Sequence, residues 1–233
     1  MIPVGKTQWR ARLRAERRRM QPTDSGARLA SVGLEWLEAI GVPDGGHDSH
    51  PDSGHANTAA PATDDDSSAA PHVMGDPAGP SVCTYISMGG EPSTGPLLES
   101  LATAGFAVYV PVCEPDFQLA WTRWQPGIKM ARSGFAPVME PVGPRLSFGS
   151  LASVRAILVP ALAVDASGVR LGQGGGYYDR FLAGIPAGAD GQTVPLAAVV
   201  HEGEVFPAGQ LPRDSFDADV GFALTPGGWR ALG

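Results

Sequence analysis

The segment that most narrows the possible folds is residues 154–176. It begins as Val154-Arg-Ala-Ile-Leu-Val-Pro-Ala-Leu-Ala-Val-Asp165, passes through Ala166-Ser-Gly168, and ends in four glycines within five positions: Gly172, Gly174, Gly175 and Gly176. A short apolar run closed by turn residues reads as a buried strand, and Asp-Ala-Ser-Gly reads as a turn. The next residues, Tyr177-Tyr-Asp-Arg-Phe-Leu-Ala183, can form a helix. Strand, turn, glycine loop and helix in that order build a ligand site in an α/β protein.

The loop has its own chemistry. Glycines let successive backbone N–H groups converge on one point, which makes a concave anion site. A helix starting at Tyr177 adds the positive field of its N-terminus. Arg170 and Arg180 would supply charge-assisted contacts to phosphate, and Asp179 could hold a divalent cation. The loop therefore points to a polyphosphate with Mg²⁺. It is neither of the common phosphate loops. A Walker loop needs Lys-Ser/Thr after its last glycine, where this chain has Tyr177-Tyr178, and a dinucleotide fingerprint needs a glycine at 177. For the glycines alone, a flexible turn is the competing reading.

Around this segment the pattern is a regular α/β alternation. Residues 5–20 predict a basic helix, and Thr23-Asp24-Ser25 a capping signal. A second helix follows with Leu29, Val32, Trp36, Leu37 and Ile40 on one face. Strands are predicted at 82–88, 107–110 (ending at Pro111), 154–159, 194–200 and 220–224, with an antiparallel or edge strand at 117–124. Helices are predicted at 96–104 and 177–183. The implied fold is α/β, a three-layer α/β/α arrangement with a mainly parallel sheet and helices on both faces. One domain would span 1–233, interrupted at about 43–80 by a disordered acidic insertion. That insertion is mostly Pro, Gly, Asp, Ser, Ala and His, with only Val73 and Met74 as larger apolar residues, too few to offset the entropy of ordering it.

Composition excludes several classes. The formal charge is −7, yet the seven Asp of the insertion account for all of it, leaving 17 basic against 17 acidic residues elsewhere. A neutral remainder argues against nucleic-acid binding. Lys6, Arg10, Arg14 and Arg17 share one face of the first helix, as an anion contact or simply a solvated face. No apolar stretch reaches the roughly 20 residues of a membrane span. The Arg-rich first twenty residues lack the apolar core of a signal peptide. Cys83 and Cys113, both in apolar runs, read as free thiols, so a cytoplasmic protein is expected. His47, His50, His55 and His72 lie in the insertion, where fixed metal geometry is not to be expected. Glu91 and Asp165 follow strands; both have turn chemistry as the plainer reading, most strongly Asp165.

Taken together, the motifs resemble the 5-formyltetrahydrofolate cyclo-ligases. That family's core motif, Pro-Gly-x-Ala-Phe-Asp-x-x-Gly-x-Arg-Leu-Gly-x-Gly-x-Gly-Tyr-Tyr-Asp-Arg-x-Leu, is matched nearly throughout by residues 160–182. Its opening Lys and Arg, four residues apart in a basic helix, match Lys6 and Arg10. Its Met-x-x-Glu-x-x-Thr matches Met88-Gly-Gly-Glu91-Pro-Ser-Thr94, and Phe-Gly-Ile-x-Glu-Pro corresponds to Phe135-Ala-Pro-Val-Met-Glu140-Pro141 with one residue inserted. Two positions depart: Gly175 stands where many members have Lys, and in Leu211-Pro-Arg-Asp-Ser-Phe216-Asp217 Phe216 stands where the family's late Leu-Pro-x-x-x-His-Asp has His.

The resemblance implies an ATP- and Mg²⁺-dependent closure of 5-formyltetrahydrofolate to 5,10-methenyltetrahydrofolate, releasing ADP and phosphate. The formyl oxygen would attack the γ-phosphoryl group, and N10 would then displace phosphate. It implies ATP contacts from Lys6, Arg10, Arg170, Gly172, Gln173, Gly174, Gly175, Gly176, Tyr177 and Tyr178, with Arg170 and Tyr178 as catalytic groups. Met88, Glu91, Trp124 and Tyr178 would meet the folate, though Trp124 and Tyr178 could equally be core. Asp179 and Asp165 would be metal ligands. The enzyme would be a monomer or weak homo-oligomer acting on small molecules, without nucleic acid or membrane. The alternative is a nucleotide- or folate-binding homologue that has lost activity.

Overall fold

The computed structural model describes residues 5–20, 25–44, 79–185 and 193–233. The disorder expected at 43–80, its histidines, and Thr23-Asp24 of the capping signal lie outside the described residues, save for 43–44 and 79–80. Two helices open the chain, α1 (Lys6–Arg19) and α2 (Gly26–Ala39). Then come β1 (Ser81–Cys83), α3 (Gly95–Thr103), β2 (Ala107–Cys113), β3 (Leu119–Arg123), β4 (Met130–Arg132) and β5 (Met139–Pro141). The glycine-loop segment supplies β6 (Val154–Pro160), β7 (Ala163–Asp165), β8 (Arg170–Leu171) and α4 (Tyr177–Ala183). The chain closes with β9 (Leu196–Val199), β10 (Val205–Phe206), β11 (Phe222–Thr225) and β12 (Gly228–Ala231).

The main sheet has the order β12-β11-β9-β6-β1-β2-β3. Its five inner strands are parallel, and β3 and β12 pair antiparallel at the two edges. The apolar run 154–160 is its central strand, as its composition predicts. Side chains alternate between faces. Val82, Val108, Val110, Leu158 and Val199 meet Leu29, Trp36, Leu97 and Leu101 of α2 and α3. Cys83, Tyr109, Ile157, Val159 and Ala198 meet the other cluster, which contains Leu182 and Leu151 with Phe181 and Phe148 against it. Helices α2 and α3 approach closely because Gly33 has no side chain; a Cβ there would lie 2.5 Å from Leu97 Cδ1. The mixed α/β class with a mainly parallel sheet thus holds. The second face carries one seven-residue helix plus loops.

Two differences from the sequence reading have simple causes. Strand β2 continues through Pro111 to Cys113 instead of ending at the proline. Pro111 faces Trp121, whose N–H and C=O bond Leu146 on the other side, and β1 has already stopped pairing at Tyr109. No partner there requires the missing N–H. The small sheet β10-β7-β8 is built from strands of two or three residues, too short for periodicity to show. Helix α1 rests on it through Leu13 and Trp9, which pack with Leu162, Val169, Leu171 and Phe206. That docking lays the cations of α1 beside the glycine loop.

Candidate active site

A cleft of about 780 Å³ opens at the carboxyl ends of β1, β2 and β6. Strand order reverses there, since β2 lies on one side of β1 and β6 on the other. In open α/β sheets that crevice is where ligands bind.

One wall is the glycine loop. Gly174 and Gly176 have φ of +94° and +78°, a left-handed backbone that favours glycine, and Gly176 is the N-cap of α4. The mobile tips of two arginines also lie close to the loop. A Cβ at 172 would lie 2.7 Å from Arg170 Nη1, and one at 176 would lie 2.5 Å from Arg180 Nη1. Position 175 differs: its nearest neighbour would be the Tyr177 ring at 3.5 Å, so a side chain fits. Helix α1 holds the loop from outside. Arg10 Nε donates to the Gly172 carbonyl at 3.0 Å, and Arg14 Nη2 donates to the Gln173 carbonyl at 2.5 Å.

Opposite lies the turn after β1. Thr94 fixes it: its N–H and hydroxyl pair with Ser87 at 3.0 and 2.9 Å, and its hydroxyl donates to the Tyr85 carbonyl at 2.8 Å. Glu91 Oε2 accepts from the Met88 N–H at 2.9 Å, and Glu91 Oε1 accepts from Gln173 Nε2 at 3.3 Å. The Met-x-x-Glu-x-x-Thr spacing is therefore that of one closed turn presenting a carboxylate. Burial raises the Glu91 carboxyl above its ordinary value, opposed by the Met88 N–H, Gln173 and the Arg17 charge. Burial likewise pushes the Tyr178 and Tyr85 phenols well up, with Glu91 adding to both, so they stay protonated. The remaining wall is apolar, formed by Pro111 and Leu119 with Val138, Met139 and Pro141 of the β4–β5 hairpin. Glu140 anchors that hairpin by accepting from the Cys113 N–H at 3.0 Å.

Most of the expected site residues meet in this cleft. Met88, Glu91, Arg170, Tyr177, Tyr178, Asp179 and the loop 172–176 all line it. Asp179 forms a close ion pair with Arg170, whose side chain is 3% exposed. Tyr177 donates its hydroxyl to the Phe135 carbonyl at 3.0 Å, tying the loop to the hairpin.

Four of the expected site residues lie outside the cleft. Asp165 is fully buried and accepts from five donors: Ser167 N and Oγ, Val169 N, Gly209 N and Leu211 N. Both oxygens are saturated in holding the turn, which leaves no lone pair directed at a metal. Lys6 does not line the cleft; its amine is held by Asp217 at 2.6 Å and Asp214 at 2.7 Å, beside the Phe216 ring. Trp124 packs against the α2–α3 core instead of the cleft. Arg10 supports the loop through Gly172 without lining the cleft.

Sequence reasoning left Arg14 and Arg17 between an anion contact and a solvated face and did not single out Tyr85; all three line the cleft. The spacing of Arg14 and Arg17 with Lys6 and Arg10 was the available signal. The hairpin wall, two strands of three residues each, has no period to read, and only the motif correspondence at 135–141 marked it. Among the described residues no group of three or more His, Cys, Asp or Glu could hold a metal. Asp179 alone, 28% exposed in the cleft, fits Mg²⁺ binding of the kind completed by substrate phosphates.

Residues 65–226 match the model of the 5-formyltetrahydrofolate cyclo-ligase family. A 5-formyltetrahydrofolate cyclo-ligase of Mycolicibacterium smegmatis is 36% identical over 153 residues, covering 64% of this chain and 74% of that protein. The Escherichia coli K12 cyclo-ligase is 34% identical over 103 residues, 43% of this chain and 56% of that one. The 5,10-methenyltetrahydrofolate synthetase structure from Aquifex aeolicus has a TM-score of 0.61 at 22% identity, covering 97% of this chain and 92% of its own. The Mycoplasma pneumoniae synthetase gives 0.60 at 12%, covering 96% and 99%; at these identities both support the fold alone. A match over most of the chain, with the motif residues gathered in one cleft, means that the chain belongs to the 5-formyltetrahydrofolate cyclo-ligase family.

Proposed function

We propose that this cleft binds ATP and 5-formyltetrahydrofolate side by side and closes the folate to its 5,10-methenyl form. The observation that carries this reading is Gln173, which bridges the two halves: it is a glycine-loop residue, and its side chain reaches Glu91. A phosphate on the loop and a pterin at Glu91 would then be neighbours, close enough for direct phosphoryl transfer.

The triphosphate would lie against the loop amides and the start of α4, with Arg170 and Arg14 as nearby cations. Asp179 would hold Mg²⁺ together with the phosphates, and the metal would neutralise charge on the transferring group. The apolar hairpin wall suits the aryl part of the folate, and Met88 lies beside Glu91. The formyl oxygen attacks the γ-phosphorus and ADP leaves. N10 then attacks the activated carbon, and the C–O bond breaks. Phosphate departs with that oxygen, and the N10 proton is lost to phosphate or solvent. An amide oxygen is a poor leaving group, which is why the phosphate is needed. Tyr178, kept protonated by burial, is a hydrogen-bond donor for developing oxyanion charge and takes no part as a base.

The chain is read as a cytoplasmic enzyme, a monomer or weak homo-oligomer, consistent with its free cysteines. Among the described residues no helix is long and apolar enough to cross a membrane. The test is a coupled assay in which ADP and the absorbing methenyl product form in equal amounts, each dependent on the other substrate. Binding of both without product would identify a non-catalytic homologue, and no folate binding would end the proposal.

A further inference from the structure

One side chain in the cleft is used by neither the phosphate site nor the metal. Arg17 of α1 has 5% side-chain exposure, and its partner Glu204, on the turn after β9, has 7%. Arg17 Nε donates to Glu204 Oε1 at 2.6 Å, and Nη2 donates to Glu204 Oε2 at 2.8 Å and to the Ala161 carbonyl at 2.6 Å. Glu204 is itself fixed by accepting from the His201 N–H at 2.8 Å. These contacts set the guanidinium plane and leave Nη1 over. That nitrogen is buried with no partner among the described residues, and so is the Tyr85 hydroxyl. Both residues line the cleft with Glu91. A buried donor without an acceptor is costly, and one kept at a ligand cleft has the ligand as its natural acceptor.

We propose that Arg17 contacts the substrate and sets its specificity: Nη1 donates to the lactam carbonyl of the pterin ring, while Glu91 accepts from the adjoining ring N–H. This rests on the folate reading of the same cleft. A lactam edge presents a carbonyl and an N–H side by side. A buried guanidinium and a carboxylate on one wall form the complementary donor–acceptor pair. The fork to Glu204 makes this selective, because a guanidinium already clamped presents its last N–H groups with little remaining freedom. Glu204 is thus a positioning residue.

The test uses the full-length enzyme and measures ATP and folate affinities separately. A double exchange, Arg17→Met with Glu204→Leu, removes both charges together, which buried pairs often tolerate, and its melting temperature is checked first. It should bind 5-formyltetrahydrofolate about 10- to 100-fold more weakly, with ATP affinity unchanged. The 4-amino-4-deoxy analogue, which lacks the carbonyl, gives a readout that a structural strut would not move. Wild type should prefer the oxo compound, and the double variant should lose most of that preference. Should the double variant fail to fold, Arg17→Lys, which keeps a cation opposite Glu204 but not the fork, gives the same comparison. A folded variant that retains both folate affinity and the oxo preference overturns the assignment. Failure of the wild type to bind folate would instead remove the functional reading itself.

Discussion

The two walls of the cleft are built on opposite principles. On the loop wall, backbone and charge do the work: left-handed glycines, a buried arginine paired with Asp179, and cations from a helix more than 150 residues earlier in the chain. On the hairpin wall, apolar side chains do it: Val138, Met139 and Pro141 stand on a ribbon whose Phe135, Met139 and Val142 are about half exposed. The first wall is geometrically exacting because charge and backbone donors are directional. The second tolerates change because dispersion and area are not. Substitutions on the loop should therefore damage nucleotide turnover sharply and locally. Those on the hairpin should weaken folate binding gradually.

The largest separation is expected for Arg170→Ala. Loss of a charged hydrogen bond to phosphate is worth about 1.5–3 kcal/mol, so kcat/KM for ATP should fall about 10- to 150-fold with folate affinity little changed. An unchanged ATP constant would remove Arg170 from the phosphate site.

Within the loop the glycines should not be equivalent. Gly176→Ala meets the positive φ, since the Arg180 tip can swing aside, and should cost about 1–2 kcal/mol in stability or ATP binding. Gly175→Ala meets only the Tyr177 ring at ordinary distance and should be nearly neutral by the same measurements. Equal effects at 175 and 176 would contradict the backbone argument.

The turn carrying Glu91 faces both walls, and its response should depend on pH. Because burial raises the Glu91 pKa, the folded protein holds that proton more tightly than the unfolded chain does. Ionising it costs stability as pH rises from the ordinary 4.5 through the raised folded value. Glu91→Gln lacks this cost. The melting temperature of the variant relative to wild type should rise across that window and level off above it, while folate binding weakens. A difference independent of pH would mean that burial does not govern this carboxyl.

The smallest effect belongs to the hairpin. Met139→Ser should weaken folate binding by about 1 kcal/mol, from lost apolar contact, and leave the ATP constant alone. A larger effect on ATP than on folate would reverse the assignment of the two walls.

What the sequence disclosed follows the same division. Gly172 to Gly176, Arg170 and Asp179 are contiguous, so their shared site was legible before any fold was known. Met88, Glu91 and Thr94 were legible together only through the resemblance to the family's Met-x-x-Glu-x-x-Thr, and the structure supplies the reason in the bonds of Thr94 to Ser87 and Tyr85. Asp165 sits within the same motif, and local pattern favoured turn chemistry there, as its bonds to Ser167 and Val169 bear out; its other donors, Gly209 and Leu211, are distant positions that local pattern cannot supply. Lys6 misled for the same reason, since Asp214 and Asp217 reach it from the far end of the chain. For Trp124 the sequence left pocket and core open; one residue past β3 its N–H bonds the Val108 carbonyl, and its ring packs against the α2–α3 core. The central strand β6 and the edge strand β3 were legible from apolar composition. The small sheet and the hairpin were not, because segments of two or three residues carry no period.

The central claim is that nucleotide and folate occupy different walls of one cleft at the same time. Equilibrium binding of a non-hydrolysable ATP analogue, with and without saturating 5-formyltetrahydrofolate, tests it most directly. One analogue and one folate bound per chain together, with neither displacing the other, is the predicted result. Competition between them would mean that both ligands claim the same surface, and would contradict it.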